Sequence, residues 1–323
     1  MVAIIGGAVI AVVAVVAGVI TFTGGGSAAD TTTASGAVRA YLEALAAGDA
    51  EKALSFSAAE PDDKTFLTDE VLKKQLEKAP ISDIQVIGET GRSVHVLVKF
   101  GDTETDEEIT VNQGADGAWK LEHGAYALDF HKDADGGGNA LLDTVTIFGK
   151  PLPASGRAFL FPGALEVGNS NPNITFKLKT EAYLLDVFKY GSFEKNADWI
   201  IDVSEEGIKG ANAALDAFLA ECAKSTTLDT PNCPNSFNDK YISYDIPPDA
   251  TARWTAPTNT DEVTLTPDGA TGRAKVNGPV KFKLTSQSSV RQWQYDDFTK
   301  TAYVYGTVDL TKTPPTYQYS PGP

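Results

Sequence analysis

Both cysteines of this 323-residue chain, Cys222 and Cys233, lie in the stretch AECAKSTTLDTPNCPNSF with ten residues between them. Three chemistries use paired cysteines: a metal half-site, a redox couple and a covalent staple. Zinc-type sites draw cysteines two to four residues apart and need two further ligands, and no histidine lies in the intervening stretch. A C-x-x-C redox motif is excluded by the same spacing. A bridge that closes a loop of about twelve residues contributes about 3 kcal/mol in the chain-entropy description, provided that the compartment is oxidising. A structural Cys222–Cys233 disulfide is therefore expected, with two free thiols as the alternative.

The other groups able to do chemistry are sparse. The chain has three histidines, His95, His123 and His131. His95, in the strand-like run RSVHVLVKF, is the position to inspect for acid–base chemistry or a pocket, although its alternation with valines predicts an exposed strand residue. No G-x-S-x-G, H-E-x-x-H or phosphate-cradling glycine loop occurs. No catalytic residue, cofactor or metal ligand is assigned, and the chain is expected not to be an enzyme. Asp133, Asp135 and Asn139 resemble part of a calcium loop but lack its third acidic position and terminal Glu, so HKDADGGGNA reads as a linker. Trp119, Trp199, Trp254 and Trp293, with Tyr303, Tyr305, Tyr317 and Tyr319, could form platforms for wall glycans. In a strand-rich chain such aromatics are expected instead as core and cross-strand pairs.

Charge narrows the partners. Forty-three Asp+Glu against 27 Lys+Arg give a net charge of -16, which repels nucleic acid, so no nucleic-acid partner is expected. The first 22 residues, MVAIIGGAVIAVVAVVAGVITF, hold no charge. As a helix they would extend about 30 Å, the thickness of a bilayer core. A transmembrane helix over 1–23 is expected, with a cleaved signal peptide ending near Ser27–Ala29 as the alternative. Gly7, Ala11, Ala14 and Gly18 would share one face of that helix and could let two copies pack into a homo-oligomer, though small residues are common in such segments. No Lys or Arg precedes the segment, so the natural start is expected further upstream, and no lipoprotein cysteine follows it.

The elements that must position these groups follow from periodicity. Residues 24–34 are a small, polar linker. In SGAVRAYLEALAAGDAEKALSF, Val38, Tyr41, Leu42 and Leu45 make one helical stripe. Gly48 ends that helix and Asp49 caps the next. Thr68 caps a third helix that stops at Pro80. From Ile81 the period becomes two and an antiparallel sheet is expected, with Val94, Val96 and Val98 on one face and His95, Leu97 and Lys99 on the other.

Leu42, Ala44, Leu45, Gly48, Asp49, Lys52, Ala53 and Leu54, with the closing Asp116, Gly117, Trp119, Lys120 and Leu121, resemble the cystatin-like, nuclear-transport-factor-like domain of membrane-anchored Gram-positive envelope proteins. The resemblance covers residues 35–130 and implies a helix on a curved sheet outside the cytoplasm, without implying an activity. Residues 131–140 read as a Gly-rich linker. Residues 141–195 are β-rich, and Ile147–Lys150 and Leu160–Gly163 loosely resemble the β domain of glycopeptide-resistance-associated membrane proteins. Residues 196–323 read as a second helix-plus-antiparallel-sheet domain. Its helix would carry Ile208, Ala211, Leu215, Phe218, Leu219 and Cys222 on one stripe.

The expected fold class is thus α+β with an N-terminal transmembrane helix. The expected role is a single-pass envelope protein of the cell membrane, its ectodomain outside the cytoplasm, acting as a non-enzymatic binding or assembly module for an envelope protein or wall partner. The alternatives are the ectodomain of a sensor whose cytoplasmic part precedes Met1, or an enzyme using a cone-shaped pocket.

Overall fold

A computed structural model describes residues 31–130, 141–191, 193–236, 250–268, 271–287 and 294–322. Local capping sets the first helices. The Thr33 hydroxyl accepts the Gly36 amide at the start of α1 (Ala34–Ala47), and Gly48 ends it with φ 73°, a left-handed conformation that costs a Cβ-free residue little. Asp49 caps α2 (Ala50–Ser55) through the Lys52 amide, and Thr68 caps α3 (Asp69–Lys78) through the Val71 amide.

Five strands follow the order β1-β5-β4-β3-β2: β1 (Ser57–Ala59), β2 (Ile81–Thr90), β3 (Ser93–Phe100), β4 (Thr103–Gln113) and β5 (Trp119–His123). β1 lies parallel to β5, and the remaining neighbours are antiparallel. Alternation turns Val94, Val96, Val98, Ile109 and Val111 inward, where they join Val38, Tyr41, Leu42 and Leu45 of α1 in one core. Each fully buried side chain of this size is worth about 1.5–3 kcal/mol of transfer free energy. The Tyr41 hydroxyl, buried with them, donates to the Gly124 carbonyl at 2.7 Å.

The middle of the chain adds short strands rather than helices. Tyr126–Asp129 pairs antiparallel with Arg157–Leu160 and parallel with Glu194–Asn196. Val145–Ile147 lies between Val167–Asn169 and Lys150–Pro151. This segment is fastened to α3 by Gln75, whose buried Nε2 donates to the carbonyls of Phe161 and Ala164 at 3.0 and 3.1 Å. Ile174–Leu178 then pairs with Trp199–Val203, so a ladder joins residues on both sides of position 195.

The C-terminal unit is one helix on one sheet. Ser204 caps α4 (Glu205–Cys222) by accepting the Gly207 amide. The sheet is built on a long hairpin, Arg273–Gln287 with Gln294–Asp309. Thr251–Thr255 and Thr264–Asp268 pair along one edge and Thr316–Tyr319 along the other. Ala211, Leu215, Leu219 and Cys222 of α4 meet Trp254, Val276, Val280, Phe282, Leu284, Val304 and Val308 in a second core. Ile208 is 43 % exposed and stands off the stripe expected for it. Gly207 holds the inward position, because a Cβ there would come within 2.0 Å of the Asn173 carbonyl oxygen. The two cores are tied by Asn171 and Asn173. Their side-chain amides donate to the Leu310 carbonyl, and Asn173 also donates to that of Lys312 at 2.8 Å.

The expected α+β class with an N-terminal transmembrane helix is corrected. The described residues are mostly β, 44 % strand against 22 % helix, because the hairpin alone runs through strands of 15 and 16 residues and adds to the β-rich middle segment that the sequence predicts. No helix among the described residues is long and apolar enough to cross a membrane; the longest, α4, carries Glu205, Glu206, Lys209, Asp216 and Glu221. Residues 1–23, with Gly7, Ala11, Ala14 and Gly18, lie outside the described residues, as do the linker 131–140, His131 and Trp293.

Candidate functional site

Cys222 and Cys233 are joined in a disulfide with Cα atoms 5.8 Å apart. Cys222 is buried at the last position of α4, so the bridge pins the exit loop against the second core. Hydrogen bonds complete the fastening. The buried Asn235 amide donates to the Cys222 carbonyl at 3.1 Å, the Trp254 indole N–H to the Thr227 carbonyl at 2.9 Å, and the Ala252 amide to the Thr226 carbonyl at 2.9 Å. With both sulfurs bonded to each other, neither is a thiolate ligand or nucleophile.

The pleat of β3 turns His95 away from the valine core, onto the open face of the first sheet. Its Nε2 pairs with the Asp106 carboxylate on β4, and Ser93 Oγ donates to Glu108 at 2.9 Å. These groups line an open groove of about 850 Å³ with Arg92, Glu107 and Lys189. His95 and Asp106 are 41 % and 65 % exposed. A water-bathed contact of this kind is weak, and the groove around it is open to solvent. The other face of the sheet is filled by fully buried side chains, Tyr41, Ile109 and Leu121 among them. Within the described residues no group of three or more His, Cys, Asp or Glu side chains is arranged to hold a metal ion.

His123 occupies a different setting. Its ring stacks on Phe193 with centroids 3.9 Å apart, beside a cavity of about 180 Å³ that Arg157, Phe159 and Glu194 also line. Burial pushes its pKa below the ordinary imidazole value, opposed in part by the Glu122 carboxylate, so the neutral ring is favoured. Arg157 is paired with Glu194 and lies 5.3 Å over the Phe159 ring, which leaves its charge largely answered within the protein.

A polar surface also covers the outer face of the C-terminal sheet. Because α4 covers the inner face, alternate residues of the hairpin are left to solvent: Lys275, Asn277, Lys281, Lys283 and Thr285 on the first strand, Thr299, Thr301 and Tyr303 on the second. Tyr303 is 56 % exposed and its ring runs parallel to that of Tyr305, with centroids 6.3 Å apart and planes within 20°. The aromatics picked out in the sequence thus separate by location. Trp254 is buried in the second core and donates a hydrogen bond, while Trp119 and Trp199 pack against the first core. Tyr317 and Tyr319 lie on Phe218 of α4. Among these described residues Tyr303 is exposed on the outer face, and Tyr305 beside it is half-buried, with Gly322 against its ring.

Sequence reasoning placed His95 on an open strand face but missed Asp106, whose approach depends on the β3–β4 register, and missed the outer sheet face. The signal for that face was present: in RAKVNGPVKFKLTSQ, charged or polar residues alternate with buried ones over the whole run. Comparisons with family models, with curated proteins and with solved structures find no match, and the resemblance of residues 35–130 to cystatin-like envelope domains rests on the residues quoted for it.

Proposed function

We propose that the chain is an extracytoplasmic, non-enzymatic binding or assembly module of a cell envelope, and that its working surface is a sheet face rather than a cleft. The observation that carries this reading is the outer face of the C-terminal sheet: one side of the hairpin is sealed by α4, and the other presents cations, hydroxyls and the exposed Tyr303 to solvent. The Cys222–Cys233 bridge supports an oxidising compartment, since such bonds persist outside the cytoplasm. Binding through a flat polar face needs neither a nucleophile nor an enclosed pocket, which agrees with the open, solvated setting of His95.

The test is sedimentation of the purified oxidised protein with an isolated bacterial envelope fraction, followed by recovery of soluble and pelleted protein. The module is expected in the pellet at low ionic strength, with the envelope material chemically unchanged. Protein that stays in the supernatant at every salt concentration, or that releases soluble fragments from the envelope, refutes the reading.

A further inference from the structure

The charge of the outer sheet face runs against that of the whole molecule. Residues 250–323 carry eight Lys+Arg against six Asp+Glu, in a chain with 27 against 43. On the hairpin face the cations follow one strand, Arg273, Lys275, Lys281 and Lys283, with Asp268 and Asp309 opposite Arg273, and Arg253 adds a fifth from the neighbouring strand, opposite Thr285 and diagonal to Lys283. Lys275, Lys283 and Arg253 have no ion-pair partner among the described residues; Lys281 lies 3.6 Å from Glu262. Eight residues of strand separate Lys275 from Lys283, about 27 Å.

The neutral residues between and beside these cations form a pattern. Register places Tyr303 opposite Pro279 and Tyr305 opposite Asn277, so the parallel tyrosines sit in the middle of the stripe, with Lys275 to one side and Lys281 and Lys283 to the other. Each terminal lysine is flanked by threonines on both neighbouring strands: Lys275 by Thr266 and Thr307, Lys283 by Thr255 and Thr299. Lysine ammonium groups are point charges that accept carboxylate, sulfate or phosphate without demanding a fixed fork geometry. A tyrosine face offers an apolar platform with a polar rim, and threonine hydroxyls both donate and accept.

From this juxtaposition we infer that the outer face of the C-terminal sheet binds an extended anionic glycan, a linear sugar polymer with acidic groups along its length. The acidic groups lie on Lys275 and on the Lys281, Lys283 and Arg253 cluster, a sugar ring lies against Tyr303 and Tyr305, and sugar hydroxyls meet the threonine rows. This inference rests on the binding-module reading and names its ligand class. Charge complementarity favours a polyanion over a neutral polymer. One feature favours a glycan over single-stranded nucleic acid: stacking of successive bases needs aromatics spread along the strand path rather than one central pair. An acidic protein partner would be anchored by a desolvated pocket, whereas this face alternates lysine and threonine.

The experiment measures binding of the full oxidised chain to immobilised polygalacturonate, with neutral dextran, polyglutamate and oligo-dT as competing probes. Polygalacturonate is expected to bind and to weaken about tenfold between 50 and 300 mM salt, as screening shortens the reach of the lysines. The pair Lys275→Glu and Lys283→Glu should reduce affinity at least tenfold. Its charge-matched control, Lys177→Glu with Lys209→Glu, lies on exposed positions away from the face and should keep the wild-type affinity. Tyr303→Ala should cost about fivefold at unchanged charge. A second lysine pair, Lys275→Gln with Lys283→Gln, and unchanged unfolding midpoints separate lost binding from lost fold. The inference is overturned if polygalacturonate does not bind, if both charge-reversal pairs lose affinity equally, or if polyglutamate or oligo-dT binds as tightly. If the Lys275/Lys283 variants still sediment with envelopes as the wild type does, this ligand site fails while the module reading stands. If the wild type does not sediment at all, the module reading itself falls.

Discussion

Reducing the Cys222–Cys233 bridge should destabilise the C-terminal unit by an amount that the loop length sets. The cysteines are 11 positions apart, and closing a loop of about twelve residues in the unfolded chain removes entropy worth about 3 kcal/mol at 25 °C. That is a factor of about 150 in the folding equilibrium, and about 10 °C in melting temperature for a unit of this size. Part of the exit loop keeps its order without the bridge, because Asn235, Trp254 and Ala252 still hydrogen-bond to it. The folded state should therefore survive reduction with its secondary structure intact and only the transition displaced. The assay is urea unfolding followed by tryptophan fluorescence, on oxidised protein, on protein kept reduced, and on Cys233→Ser. This last substitution removes the bridge at its partly buried end and leaves the buried Cys222 packing in place. The reduced and Cys233→Ser proteins should unfold alike, both at lower urea than the oxidised form, and intact oxidised protein should gain two hydrogens in mass on reduction. A midpoint that does not move on reduction, or two reactive thiols in the oxidised native protein, would refute the reasoning.

Two further outcomes test other joints. Asn173→Ala removes the donor to the Lys312 carbonyl and one of two donors to that of Leu310, and should cost about 1–3 kcal/mol by urea unfolding; a loss below about 0.5 kcal/mol would show that the asparagine clasp does not hold the cores together. His123 has its pKa lowered by burial, so between that value and the unfolded value of about 6.5 the unfolded chain binds the extra proton. Stability contributed by the neutral ring is complete above the unfolded pKa and is lost as pH falls toward the folded one. His123→Phe keeps a ring against Phe193 and should lose less stability than the wild type between pH 7.5 and pH 5.5, with equal losses counting against a buried neutral imidazole.

Short-range features were readable from residues alone because their causes are local. Gly48 as a helix stop, Asp49 and Thr68 as caps, and the inward set Val94, Val96 and Val98 each depend on a few neighbouring backbone groups or on the two-residue pleat. The stripe of α4 was readable to within one position, and Ile208 failed because the inward place went to Gly207, a choice made by the Asn173 carbonyl from a distant loop. The α+β expectation failed on proportion: 141–195 reads as β-rich, and its short strands together with hairpin strands of 15 and 16 residues outweigh the helices. Those short strands exist because neighbours such as Tyr126–Asp129 supply the pairing.

For chemistry the division is similar. Ten intervening residues and a helix stripe ending at Cys222 determined by themselves that the cysteines were suited to a staple, since loop length and thiol spacing are properties of the chain. Composition likewise determined the overall acidity. That His95 meets Asp106 in open water and that Lys275 and Lys283 each stand between two threonines was decided only by strand register. Register is fixed by which face α4 buries and by how distant strands align, and neither is encoded within the span of any one of those residues.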